Sequence, residues 1–184
     1  MSGELVTDAA KTFIQAELLC VLGGNMCVLR PEDLLRLVVT DDKMIDTSGI
    51  KLTLFKVYRF ASSGELAMSR RLLPEMVEID PIDGVYYLDP GAYLIRYGEY
   101  VEIPPNCIAL VFPRSSLLRM GATIFTAVWD PGYEGQGVGL LQVFNPYGIR
   151  IERGAQVAQM VFIKMTGETK FLYRGTFQGE KDIS

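Results

Sequence analysis

From residue 50 onward the chain is a succession of short β-rich runs, with no amphipathic helix between them. The runs fall at 50–60, 85–88, 93–97, 100–103, 107–112, 123–129, 138–144, 156–164 and 170–173. Turn signals separate them: Ser63-Gly64, Asp83-Gly84, Asp89-Pro90-Gly91, Pro104-Pro105-Asn106, Pro131-Gly132, Asn145-Pro146 and Arg153-Gly154. Many strands at such close spacing predict a mainly β fold, a barrel or jelly roll. A length of 184 residues suits one domain, 1–184, with an ample core.

The two ends read differently. Leu5, Val6, Ala9, Ala10, Phe13, Ile14 and Leu18 recur at helical spacing, and Gly23-Gly24 would end that helix. Pro31-Glu32-Asp33 opens a second, short helix through Leu34, Leu35 and Val38. Residues 1–40 are therefore expected to be a helical segment covering a barrel end or an oligomer edge. Residues 174–184 are polar and glycine-containing, and are expected to form a mobile C-terminal arm.

Composition narrows the chemistry. The chain is 49% hydrophobic and 22% charged, as a soluble globular protein is. A net charge of −4 argues against a nucleic-acid partner. No apolar run reaches the roughly 20 residues of a membrane helix. The start, MSGELVTDAAK, lacks the basic-then-apolar pattern of a secretion signal. Histidine is absent, which excludes a Ser-His-Asp triad, a Cys-His pair and any His-ligated metal. Cys20, Cys27 and Cys107 are odd in number and form no C-x-x-C pair, so they read as buried thiols of a reducing cytoplasm. A zinc nucleoside deaminase, which needs such a ligand set, is ruled out. Hydrolysis here must use carboxylates, Arg, Lys, Ser, Tyr, backbone amides or an oxygen-bound cation.

Four stretches could carry chemistry. PRSSLLRMG (113–121) gathers Arg114, Ser115, Ser116 and Arg119, a set suited to an anion cradle, although Arg-Ser-Ser also occurs in plain surface loops. AVWDPGYEG (127–135) ends an apolar run on Asp130 and places Tyr133 across a Pro-Gly corner. A partly desolvated carboxylate there can act as a general base, and the ring can lie on a sugar. The plainer alternative is an ordinary hairpin whose Asp caps the turn. ERGAQVAQMVF (152–162) carries Gln156 and Gln159 on a strand, which could equally be an edge strand with polar residues outward. YRGTFQG (173–179) could close over a ligand with Phe177 on a base and Arg174 on phosphate, or be a disordered terminus.

In this order, the four stretches resemble the superfamily of trimeric dUTP diphosphatases (dUTPases) and dCTP deaminases. PRSSLLRMG resembles its phosphate-binding motif, AVWDPGYEG its Asp-x-x-Tyr-x-Gly hairpin, GAQVAQM its Gly-x-x-x-Ala-Gln strand and YRGTFQG its closing segment. LDPGAYLIRYGEYVEIP stands in the expected place upstream. The VWDPGYEG wording and the helical start look most like archaeal dUTPases. The resemblance implies a dUTPase-like β-barrel or jelly roll (a β-clip fold) and a cytoplasmic homotrimer with active sites between subunits. It implies hydrolysis of dUTP to dUMP and pyrophosphate, with Asp130 activating the water that attacks the α-phosphorus. Tyr133 would stack on deoxyribose, and the hairpin backbone would read uracil. Arg114, Ser115, Ser116, Arg119 and Gln159 would hold the triphosphate, Mg²⁺ would bridge its oxygens, and Arg174, Phe177 and Gln178 would complete the substrate site.

Two positions depart from that pattern. The superfamily's metal-free deaminases use a Glu three residues before an Asn; here that position is Gln142, before Asn145. A neutral amide cannot shuttle protons to a cytosine amino group, so deamination is disfavoured. The first motif's Asp is replaced by Lys51 in SGIKLTL (48–54). A lysine repels Mg²⁺ but can meet phosphate as a point charge. Either the metal is held differently, with help from Asp46, or the alignment shifts, or activity is lowered. A dCTP deaminase and a non-catalytic deoxynucleotide-binding protein remain the alternatives, with a jelly-roll interaction protein behind them.

Overall fold

The computed structural model describes residues 27–37 and 42–181. The expected helix over residues 4–22, Cys20 and the last three residues lie outside that range. The strands in chain order are β1 (Cys27–Val28), β2 (Ile45–Asp46), β3 (Gly49–Phe60), β4 (Glu65–Leu66), β5 (Arg71–Leu72), β6 (Met76–Ile79), β7 (Val85–Leu88), β8 (Gly91–Tyr97), β9 (Val101–Glu102), β10 (Cys107–Pro113), β11 (Ala122–Phe125), β12 (Glu134–Gly135), β13 (Val138–Val143), β14 (Ile149–Glu152) and β15 (Gln156–Lys164). Two short α-helices accompany them, α1 (Pro31–Leu37) and α2 (Ser115–Arg119).

The main sheet runs β1-β15-β3-β8-β13-β11, with β10 on the free side of β15 and β2 and β6 on β3. Every pairing in it is antiparallel. The sheet curls into the expected mainly β roll. Its inner face is built by alternation. Cys107, Ala109 and Val111 of β10 and Leu141 and Val143 of β13 point into the core, and their neighbours point out. Strand β3 breaks its period once. Leu54 and Val57 both face inward because the register with β8 slips between Leu54 and Lys56. Leu34 of α1 is fully buried and joins the same core.

Several predicted boundaries differ. Strand β11 stops at Phe125, so residues 126–129 leave the sheet. The run at 170–173 is not a strand. Strand β15 is not an edge, since it pairs with β3 and β1 on one side and β10 on the other. Cys27 and Cys107 both pair with Lys164 from opposite sides of β15. Their Cα atoms are thus about 10 Å apart, two strand spacings, beyond disulfide reach. Neither forms a disulfide.

Gly49 fixes how β2 turns onto β3. A Cβ there would lie 2.0 Å from the backbone oxygen of Met160 on β15. Backbone cannot swing aside as a flexible side chain can. Gly49→Ala is therefore expected to lower stability by about 2 kcal/mol or more, read as a lower urea midpoint with an unchanged slope.

Candidate active site

The twelve residues between β11 and β13, Thr126 to Gly137, form the corner that carries Asp130 and Tyr133. Strands β11 and β13 pair with each other below it. Within the corner, however, the two arms turn to other partners. Trp129 forms a bridge with Ala109 of β10, with reciprocal hydrogen bonds of 3.0 Å. Glu134 and Gly135 pair with Glu102 and Val101 of β9. Between them the Tyr133 amide donates to the Asp130 carbonyl at 3.1 Å, closing a turn in which Gly132 takes φ +77°. The corner is thus clamped by β9 and β10 instead of by its own flanks.

Asp130 is exposed at the tip, and among the described residues nothing donates to its carboxylate. Tyr133 is only 7% exposed. Its ring meets Trp129 and Tyr173 edge-on, with centroids at 5.2 and 5.4 Å. Burial, reinforced by the nearby Glu180 carboxylate, holds its phenol well above the ordinary tyrosine range. Trp129 presses so closely on Gly137 that a Cβ there would lie 2.2 Å from the indole.

The C-terminal segment lies against this same corner. The Tyr173 amide donates to the Pro131 carbonyl at 2.8 Å, and Gln178 Nε2 donates to the Gly132 carbonyl at 2.9 Å. Phe177 sits beneath the Arg71 guanidinium, 5.6 Å from the ring centre, while Arg174 is exposed.

A second group forms where β3, β10 and β15 meet. Gln159 pairs in register with Phe112 on one side and Lys51 on the other, and its Nε2 donates to Ser48 Oγ at 3.0 Å. The Arg114 amide donates to the Val157 carbonyl at 2.9 Å, which sets the start of α2 beside β15. Ser115 and Ser116 open that helix, and they and Arg119 are exposed. The Arg114 guanidinium is ion-paired with Asp46, and Lys51 Nζ donates to the Lys43 carbonyl at 3.3 Å. The Thr47 amide and, after burial is offset, Arg114 hold the Asp46 carboxyl below its usual range. Asp46, which the sequence offers as a possible metal ligand, is ion-paired with Arg114 in this structure.

The predicted site residues therefore fall into two clusters. Asp130, Tyr133, Phe177 and Gln178 gather at the corner, and Arg114, Ser115, Ser116 and Gln159 gather around α2 and β15. Among the described residues no hydrogen bond or ion pair joins the clusters within one chain. Gln142 lies on β13 opposite Ala92 and Thr123, and its Nε2 donates to the Gly91 carbonyl at 3.1 Å.

The dCTP deaminase-like family model matches residues 31–165. The chain belongs to that family. A probable deoxyuridine 5'-triphosphate nucleotidohydrolase of Aeropyrum pernix is 43% identical over 136 residues, covering 74% of this chain and 86% of its own. The deoxyuridine 5'-triphosphate nucleotidohydrolase of Methanocaldococcus jannaschii is 40% identical over 143 residues, 76% of this chain and 90% of its own. A probable enzyme of the same name from Archaeoglobus fulgidus is 39% identical over 166 residues, 88% and 98% of the two chains. The crystal structure of 2'-deoxycytidine 5'-triphosphate deaminase from Agrobacterium tumefaciens superposes with a TM-score of 0.58 at 18% identity. It matches 76% of this chain and 48% of that one, and it shows the shared fold.

Sequence reasoning missed Arg96 and Glu180. Arg96 is 0% exposed, and its Nη2 meets Glu180 Oε1 at 2.8 Å. Its position in a β run was a signal that a charge would have to be buried or turned outward.

The Asp46–Arg114 pair gives a pH signature. A carboxyl whose folded pKa is lowered stabilises the protein above its unfolded value, ordinarily 3.8, and loses that contribution as pH falls through the folded value. The stability gap between the parent and Asp46→Asn is expected to be constant above about pH 5 and to narrow on acidification below that. Urea unfolding across pH 3–7 reads it; a gap that does not change with pH would remove Asp46 from the pair.

Proposed function

We propose that this protein hydrolyses dUTP to dUMP and pyrophosphate. The carrying observation is an unpaired Asp130 carboxylate at a clamped corner, in a chain whose archaeal relatives bear the name deoxyuridine 5'-triphosphate nucleotidohydrolase. In this reading Asp130 takes a proton from water as the water oxygen attacks the α-phosphorus, and pyrophosphate leaves. A carboxylate with no donor has its lone pairs free for that proton. Tyr133, kept neutral, supplies an apolar ring to the deoxyribose, and the corner's backbone reads the uracil. Arg114, Ser115, Ser116, Arg119 and Gln159 receive the triphosphate, whose charge displaces Asp46 from Arg114. Arg174, Phe177 and Gln178 cover the bound nucleotide.

Among the described residues no hydrogen bond or ion pair joins the two clusters in one chain, which supports a site shared between subunits of a homotrimer. The outward faces of the strands support it as well. Phe112 and Phe125, 53% and 55% exposed, point away from the core of a single chain, where a partner subunit would cover them. No helix among the described residues is long and apolar enough to cross a membrane. We assign the protein to the cytoplasm, which suits Cys27 and Cys107 as reduced thiols outside any disulfide.

Mg²⁺ is the cofactor we assign. Among the described residues no group of three or more His, Cys, Asp or Glu side chains could hold a metal. In this reading the ion is held mainly by the phosphate oxygens and water, with Asp46 available to it once Arg114 turns to substrate. When bound, the ion neutralises charge on the phosphate oxygens.

Asp130→Asn is expected to bind dUTP as the parent does and to lose about a hundredfold or more in kcat. Parallel pyrophosphate and ammonia assays on dUTP and dCTP, each with Mg²⁺ and with EDTA, check the reaction itself. Pyrophosphate from dUTP without ammonia from dCTP is the expected result. Ammonia from dCTP, or full turnover by Asp130→Asn, would overturn it.

A further inference from the structure

Arg96 is the buried charged side chain among the described residues. It stands on β8 opposite Val138 and Lys56, where water cannot reach its guanidinium. The state of its three nitrogens matters. Nη2 meets the Glu180 carboxylate at 2.8 Å, Nη1 donates to the Gln136 carbonyl, and Nε is buried without a partner. Glu180, 84 residues away in sequence, is itself 15% exposed. A cation so placed needs an anion beside it, and among the described residues Glu180 is the one ion-paired with it.

The backbone around Glu180 repeats the message. Glu180 bridges Gly135 in parallel, the Gln136 amide donates to the Glu180 carbonyl at 2.8 Å, and the Gly179 amide donates to the Glu134 carbonyl at 2.9 Å. Gly135 takes φ +152°, and a Cβ there would lie 3.2 Å from the Glu180 nitrogen and 2.7 Å from the Tyr133 hydroxyl. The absence of a side chain is what lets the segment close down. At its other end, the Tyr173 amide holds the Pro131 carbonyl.

We propose that Glu180 is a positioning residue: through Arg96 it straps residues 173–180 across the corner of its own chain and so fixes the backbone between Pro131 and Gln136. The C-terminal segment is then a loop pinned at both ends. Arg174 and Phe177 move between two anchors, instead of swinging on a free arm. This rests on reading the corner as the site of dUTP hydrolysis, but the strap itself can be tested without substrate.

The full chain carrying Glu180→Ala, with Glu180→Gln as the milder variant that keeps a hydrogen bond to Arg96, is the test. Amide hydrogen exchange at Gln136 and Gly179 is expected to quicken about tenfold or more in Glu180→Ala, with β3 and β15 amides little changed. Trypsin should cut after the exposed Arg174 correspondingly faster. The value of kcat should fall about tenfold with KM changed less than about threefold, and Glu180→Gln should recover part of each effect. If Glu180→Ala does not fold, Glu180→Gln is read against the same criteria. Unchanged exchange and cleavage would overturn the strap. So would equal acceleration of every core amide, which marks a merely global loss of stability. A loosened corner with undiminished kcat would remove the positioning role. If the exchange responds while even the parent releases no pyrophosphate from dUTP, the strap stands and the hydrolytic reading falls.

Discussion

A guanidinium sealed from water, at Arg96, sets the terms for everything around it. Removing such a charge from water costs several kcal/mol even after the protein relaxes, so the neighbouring chain must answer it with acceptors. Two come from segments remote in sequence, the Gln136 carbonyl and the Glu180 carboxylate. The same Gln136 sends its side-chain amide to the Gly98 carbonyl at 2.8 Å, and the Gly98 amide donates to Thr53 on β3. Thr53 in turn gives its amide and hydroxyl to Glu99 at 2.8 and 2.7 Å. A connected polar network thus runs from β3, through the end of β8, to the Asp130 corner and the C-terminal segment. Networks of this kind specify one arrangement because each member left unsatisfied carries its own desolvation penalty.

Much of the roll was legible in the sequence, and the reason is local. Strands β7 and β15 begin and end where the β-rich runs do, because turn residues bound them on both sides. Strand β3 is long and its inward residues are all aliphatic, so one bulge did not hide it. What stayed hidden was short or depended on remote partners. Ile149–Glu152 alternates inward and outward, yet two of its four residues, Arg150 and Glu152, are charged, so no β-rich run stands out as it does in the equally short β7. Lys170 to Tyr173 has strand-like composition but docks as irregular chain, because its partner is the Pro131 carbonyl and not a sheet edge. Glu180 sits in a polar tail and reads as solvated; only the fold brings it to Arg96.

The candidate site was legible by type and not by arrangement. Asp130 and Tyr133 are on one corner as the motif requires, but the sequence could not say that β9 and β10 hold the two arms. Nor could it say that Asp46 would sit against Arg114. That pairing bears on Lys51. Lys51 stands beside Gln159 in the sheet, so the proposed phosphate end gathers Lys51 with Arg114 and Arg119, and against Arg114 the Asp46 carboxylate. An anion arriving there would meet these cations. The single carboxylate is the group it must displace, and a doubly or triply charged phosphate chain outcompetes it by charge alone.

Gln142 argues against deamination on structural grounds as well as on proton transfer. Its side-chain nitrogen donates to the Gly91 carbonyl across the β8–β13 pair. A carboxylate in the same place would set acceptor against acceptor, since an ionised acid has no proton to give. It would have to turn away or take up a proton, and the Gly91 carbonyl would lose its partner. The position is therefore fitted to a donor that stays in place, whereas a deaminating acid must be free to carry a proton between water and base. A group already holding the backbone together is poorly placed for that work, which leaves the base of the proposed reaction to Asp130, exposed at the tip of the corner with no donor to its carboxylate among the described residues.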